Sequence, residues 1–196
     1  MYDLTDQQKS NLDRLATYLE NLPENYSHFG MSSFLAADDK TPDESQDFSP
    51  YFDQVVKYAL HNGGVAECGS IACAVGHGPS AGILFDESMI EPNHFYRYYG
   101  GGRMAHRDRN MPNWGAYTKA NFCNLDGYPF TWMFGERWAW VDNTHRGAAA
   151  RIRCMLAERT LPSSFLEKGE PDEDTPSYYA EFLIVGDAHI KPKRPA

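Results

Sequence analysis

The chain has 196 residues with 27 acidic against 18 basic side chains, a net charge of −9 that argues against a general nucleic-acid-binding surface. Its length suits one domain with a buried core, and an aromatic content of 14% at a mean hydropathy of −0.58 excludes a disordered chain and assigns much of the buried area to rings. No apolar run approaches the roughly 18 residues of a membrane-spanning helix, and the first residues lack the apolar core of an export signal, so the expectation is a cytoplasmic protein with no membrane contact.

Charge is unevenly spread. Residues 1–60 hold eleven acidic against four basic side chains, residues 61–160 nine against ten, and residues 161–196 seven against four. The acidic N-terminal third either keeps the protein dissolved or faces a basic partner. Four cysteines (Cys68, Cys73, Cys123, Cys154) are too few for a disulfide scaffold and read first as buried thiols.

In chain order, Thr5 with Gln8 forms a capping-box pattern ahead of Leu12, Leu15, Leu19 and Leu22 at helical spacing, which predicts an amphipathic helix ending before Pro23. Tyr26, Phe29, Met31, Phe34 and Leu35 follow without a clean period, as a turn and short element closing that helix onto the core. Residues 36–50 are acidic and interrupted by two prolines, hence a loop. Tyr51–Leu60 reads as a short helix with Phe52, Val55, Val56 and Ala59 on one face.

The densest stretch is Gly63–Gly82, dominated by Gly, Ala, Ser and Cys, where small side chains permit close backbone approach. Ser70–Val75 is expected to form a small-residue helix starting near Cys68 or Gly69 and stopping at Gly76 or Gly78, which would place Cys73 and His77 on one face. From Ile83 to Asp126 periodicity fails, and irregular loops with one short helix are expected. An aromatic block, Pro129–Trp140, reads as a second wall of the core. Asp142-Asn143-Thr144 then caps a helix from about His145 to Arg159, with Ala149, Ile152, Met155 and Leu156 inward and Arg146, Arg151, Arg153 and Arg159 outward. Glu167–Pro176 is an acidic linker, Tyr178–Val185 a terminal strand and Lys191–Ala196 a basic tail.

The summed reading is a mainly α domain, with α+β as the alternative, carrying long irregular aromatic-rich loops and a short C-terminal strand. Residues 1–164 form a single globular domain. Residues 165–196 pack on it or trail from it.

Cys68-Gly69-Ser70-Ile71-Ala72-Cys73-Ala74-Val75-Gly76-His77 resembles a segment, Cys-Gly-Thr/Ser-x-x-Cys-x-x-Gly-His/Trp, found in a group of uncharacterised small proteins of phages and bacteria. In that group an N-terminal helix precedes the segment, and a Trp-rich stretch and an Ala/Arg-rich helix follow it. Here these correspond to Trp132–Gly135 with Trp138 and to Asp142–Thr144 leading into Ala148–Ile152, so the resemblance touches roughly residues 5–160. It implies a phage or mobile-element accessory protein acting in the host cytoplasm, and it supplies no activity.

Three constellations carry chemistry. Cys68-Gly69-Ser70 ahead of a small-residue helix resembles a papain-type nucleophile, with His77, His106 or His145 as imidazole and Asp142 or Asn143 as orienting group. The match covers only those three residues, and a structural thiol beside a close-packed glycine is the competing reading. Cys73 and His77 could supply two zinc ligands, completed by Cys68, His61, His94 or His106, although the second tight pair of a structural site is missing. Tyr96, Arg97, Tyr98, Arg103 and Arg107, in a Tyr/Arg/Gly stretch, have the composition of an interface; they could also stack bases, a use the overall charge disfavours. The leading expectation is a non-enzymatic protein without a cofactor that binds a partner protein. The rivals are a small cysteine hydrolase using Cys68 and a binding protein for a nucleotide signal.

Overall fold

A computed structural model describes residues 4–30, 36–37, 49–61, 70–99, 103–125, 130–134, 144–157, 183–185 and 189–191. The protein is mainly α, with small antiparallel β pairs. Helix α1 spans Asp6–Glu20 and begins at the capping box read from the sequence. Thr5 Oγ1 accepts from the Gln8 backbone N–H at 3.1 Å and Gln8 Oε1 accepts from the Thr5 N–H at 2.9 Å, so two otherwise orphaned donors are satisfied. Its buried face is Asn11, Leu12, Leu15, Ala16 and Leu19.

That face packs on α5, His145–Ala157, whose Ala148, Ala149, Ile152 and Met155 are almost fully buried. Alanines at the contact let the two helices approach closely, and each buried Leu or Ile contributes about 2 kcal/mol through loss of apolar surface from water. Thr144 accepts from the Gly147 N–H at the start of α5, so the expected cap is present. One expectation on α5 fails: Arg151, assigned to the outer face, is fully buried. Buried positions from His145 to Met155 occupy more than one stripe of this helix, so a simple inside-outside period does not describe it. Arg153 does lie at the surface, where it meets Glu20, Asp13 and Thr17 of α1.

Helix α2, Ser49–His61, brings Val55, Tyr58 and Ala59 into the core. Helix α3, Trp114–Asn121, is capped by Asn113, whose Oδ1 accepts from Ala116 N–H at 2.9 Å, and is tied to α1 by the Asn11 amide on the Asn121 carbonyl. Around it lies an aromatic layer: Tyr117 stacks on Phe85 with centroids 4.0 Å apart and meets Trp114 and Phe122 edge-on. The expected second wall is represented by α4, Phe130–Phe134, with Met133 and Phe134 buried.

The small-residue helix expected at Ser70–Val75 is not formed. Ser70–Ile71 is a short strand, β2, paired antiparallel with β1, Ala36–Ala37, and Ala72 exchanges backbone hydrogen bonds with His28 and Gly30. Only Val75–His77 makes a 3₁₀ turn. Ala72 and Ala74 are almost fully buried, so the small side chains serve a closely enclosed extended segment. Gly78 shows how tight this packing is: a β-carbon there would lie 2.1 Å from the Tyr117 hydroxyl.

The expectation of loops over Ile83–Asp126 fails more completely. Strands β3, Ile90–Tyr99, and β4, Arg103–Pro112, pair antiparallel in unbroken register from Ile90↔Pro112 to Tyr99↔Arg103. Ten extended residues per strand make a ribbon roughly 34 Å long. At the C-terminal end, β5 (Leu183–Val185) falls inside the expected strand and pairs with β6 (His189–Lys191), a partner strand that the sequence does not announce.

Candidate functional site

Two of the histidines singled out in the sequence converge. His77, in the 3₁₀ turn, and His145, at the first turn of α5, are both 3% exposed, and the segment Tyr26–Phe29 lies between them. Ring centroids of Tyr26 and Phe29 are 5.7 and 5.5 Å from His77 and 6.3 and 6.0 Å from His145. The same segment is stitched by backbone to Ala72, so it straps α1, the central segment and α5 together.

The chemistry of His77 is fixed by its partners. Its Nδ1 is 2.9 Å from the Cys73 carbonyl, which only accepts, so Nδ1 carries the proton. Nε2 therefore presents a lone pair to the Tyr26 hydroxyl, 3.3 Å away, which donates to it. Burial pushes the imidazole down to about 4, because a charge there would be desolvated. Burial likewise raises the Tyr26 phenol to about 12, with Tyr18 adding to it. His145 places Nδ1 2.9 Å from the Leu19 carbonyl and Nε2 3.1 Å from the Pro23 carbonyl, at the C-terminal end of α1. A carbonyl only accepts, so a ring nitrogen that carries a proton donates to the carbonyl beside it.

This arrangement holds segments together and leaves little free reactivity. The i, i+4 relation of Cys73 and His77 exists, but it is expressed through the Cys73 carbonyl, which takes both the ring and the backbone N–H of His77. Burial pushes the Cys73 thiol up to about 11, against the thiolate that a nucleophile requires. Cys123 is pushed up to about 12 for the same reason, and Cys154 is buried. Among the described residues no group of three or more His, Cys, Asp and Glu side chains is placed to hold a metal ion. Cys68 and Asp142, the expected nucleophile and orienting group of a hydrolase, lie outside the described residues.

The other candidate residues, Tyr96, Arg97, Tyr98, Arg103 and Arg107, all fall on the β3–β4 ribbon, as do His94 and His106. Cross-strand partners share a face and successive residues alternate between faces. The pair Ile90↔Pro112 at the base lies toward the core, with Ile90 packed against it and Pro112 buried, while Glu91 on the next pair is exposed. Pro92 and Asn110, the next even-numbered pair, are both exposed, so the base pair fixes no inner face along the ribbon; Tyr96, Tyr98 and His106 share the even-numbered face. The odd-numbered pairs share the other face: Phe95↔Arg107, Arg97↔Ala105, Tyr99↔Arg103 and Asn93↔Arg109. All four arginines of the ribbon fall on this one face. Sequence reasoning collected these residues by composition and missed the ribbon. Two aromatic-rich segments joined by Gly100-Gly101-Gly102 was the signal that could have found it.

The strap residues Tyr26, His28 and Phe29 were also missed as a site, since their partners are distant in sequence. Among the described residues no helix is long and apolar enough to cross a membrane. Set against known protein families, curated proteins and solved structures, the chain matches none.

Proposed function

We propose that this protein is a non-enzymatic accessory protein of a phage or mobile element that acts by binding a partner protein, with a component of a host defence system as the target class. The observation that carries the reading is the ribbon: two ten-residue strands, hydrogen-bonded only to each other among the described strands, in which four arginines stand against the two carboxylates Glu91 and Asp108 on a chain that is otherwise strongly acidic. Arg and aromatic residues together are what interface hot spots favour. The acidic N-terminal third supplies a second contact to a partner of mixed charge. The resemblance of the Cys68–His77 segment to phage and bacterial proteins supports the context, and the thiols Cys73 and Cys123 are buried in the core.

The test is site-specific photo-crosslinking in the bacterial cytoplasm, with the crosslinking residue placed at Tyr99 on the ribbon or at Asp6 on α1. The expected result is one defined protein captured from Tyr99, displaced by excess unlabelled protein and confirmed by reconstitution with the purified partner. Capture from Asp6 alone, or none from either, overturns the assignment of the ribbon. A hydrolytic activity lost on Cys68→Ala with folding intact would replace binding by catalysis.

A further inference from the structure

Residues 21–30 run from the C-terminal end of α1 over His77 and His145, and none of them is buried, whereas Ala72, Ala74, Val75 and His77 beneath them are. Leu22 and Phe29 are its partly buried apolar anchors. A segment that removes so little area from water opens at far lower cost than the helix pair beside it, where Leu12, Leu15, Ala149 and Ile152 are fully buried.

Polar ties hold the segment down. The Pro23 carbonyl lies 3.1 Å from His145 Nε2, the Tyr26 hydroxyl donates to His77 Nε2 at 3.3 Å, and Glu24 meets Arg146 at 3.3 Å on the surface. Further along, the His28 carbonyl accepts from the Ala72 N–H at 3.0 Å and the Gly30 N–H donates to the Ala72 carbonyl at 3.1 Å. Within the segment the Tyr26 N–H donates to the Pro23 carbonyl at 3.0 Å, a turn that lets it move as one piece.

The ties at Pro23 and Tyr26 end on imidazoles, and those imidazoles lie close together. Ring centroids of His28, His77 and His145 stand 5.5, 5.7 and 6.3 Å from that of Tyr26. His77 is faced by Tyr18 from α1, by Tyr26 and His28 from the segment, by His145 from α5 and by Cys73 from its own turn, while Tyr58 of α2 donates to the neighbouring Gly76 carbonyl. Phenols and imidazoles give a buried positive charge no counter-ion, and Glu24, the carboxylate among these groups, is engaged by Arg146. Water is the better place for such a charge, and lifting Tyr26 and Phe29 off the ring admits it.

We infer that residues 21–30 form an acid-released latch: a proton taken up by His77 opens the segment and uncovers the rings of His77 and His145, while α1 stays packed on α5. The sign follows from burial. With the latch closed, His77 titrates at about 4, below the roughly 6.5 of an imidazole in water, so closure is favoured most above pH 6.5, weakens as pH falls towards 4 and weakens no further below that. Between pH 7 and pH 4.5 this difference raises the open fraction about fifty-fold.

The experiment is hydrogen exchange of the full chain read by mass spectrometry at pH 7 and pH 4.5, corrected for the intrinsic pH dependence of amide exchange and repeated in urea below the unfolding transition. Opening of residues 21–30 should rise about fifty-fold at the lower pH and hardly respond to urea, because a local opening exposes little surface; amides of α5 should respond to urea as unfolding of the whole protein does. In His77→Gln the acid rise should shrink below about fivefold. Tyr26→Phe removes the hydroxyl tie and keeps the imidazole, so it should open the segment about tenfold more at pH 7 and retain the acid rise. Circular dichroism of each variant keeps loss of fold apart from loss of the latch.

Equal urea dependence in residues 21–30 and in α5 overturns the latch without recourse to any variant, since the segment then opens only with the whole protein. An acid rise that survives in folded His77→Gln takes the proton off His77 and overturns the assignment. An acid rise lost in Tyr26→Phe means that the hydroxyl tie and not charge on the ring governs opening, and the inference fails.

Discussion

The α1–α5 interface and the β3–β4 ribbon are built from opposite rules. At the interface the apolar residues face one another, Leu12, Leu15 and Leu19 meeting Ala148, Ala149 and Ile152, and the polar rim is closed by Arg153 on Glu20 and Asp13. Its arginine is engaged by its own neighbours. On the ribbon, Arg97, Arg103, Arg107 and Arg109 are gathered on one face, opposite aromatic, small or polar partners rather than carboxylates in the register. Where a chain pairs its charges internally it is stabilising itself, and where it lines up like charges on one face it gains no such stability.

That contrast is broken most directly by exchanging the two kinds of position. Leu15→Ala, at a fully buried site, should lower unfolding stability by about 3 kcal/mol through lost transfer energy and the cavity left behind. Arg107→Gln on the ribbon should leave stability within about 0.5 kcal/mol. Urea denaturation of the two variants side by side measures both; comparable losses would mean that the arginine face of the ribbon is part of the core.

The histidine strap sharpens the comparison through pH. The folded-state value of His77 lies near 4, below the roughly 6.5 of an unfolded chain, so the unfolded state takes up the proton first. The stability at stake is fully present above pH 6.5, is lost as pH falls from 6.5 towards 4, and falls no further below that. Between pH 7 and pH 4.5 the loss attributable to this ring should be on the order of 2 kcal/mol. It should shrink in His77→Gln, read as a flatter plot of urea midpoint against pH. An identical plot for the variant would assign the pH dependence to other groups. A smaller loss than that of the histidine is expected at Arg153→Ala, about 1 kcal/mol or less, because the site is 29% exposed and solvent screens its ion pairs; 0.5 M salt should narrow the gap between variant and wild type.

The same contrast explains what could be read from the sequence. Helices α1 and α5 were legible because both begin at a hydroxyl cap, Thr5 or Thr144, and carry apolar residues at helical spacing. Arg151 was misplaced because α5 is buried around more than its inner stripe, and charge alone predicts an exposed side. The ribbon was illegible by periodicity: aromatic residues occupy both parities of β3, Phe95 and Tyr99 on one and Tyr96 and Tyr98 on the other, so no alternation of apolar with polar appears. Ser70–Val75 misled in the other direction. Small residues permit a helix, but backbone pairing with Ala36–Ala37 and His28–Gly30 won, and those partners are distant in sequence. His77 and His145 stand out in the sequence as reactive groups. Their position becomes recoverable only once the Tyr26–Phe29 segment is seen between them.

Gly78 carries a consequence for how this protein can vary over generations. A methyl group there would fall 2.1 Å from the Tyr117 hydroxyl and 3.0 Å from the Val75 carbonyl, and the same hydroxyl donates to the carbonyl of Ile83. Position 78 is therefore coupled to position 117. A larger residue at the first can be accepted only after the phenol at the second has gone, and losing the phenol strands a buried carbonyl. Neither change is an easy first step, so the pair is held by mutual exclusion, and lineages descended from this chain should keep Gly and Tyr together or lose both.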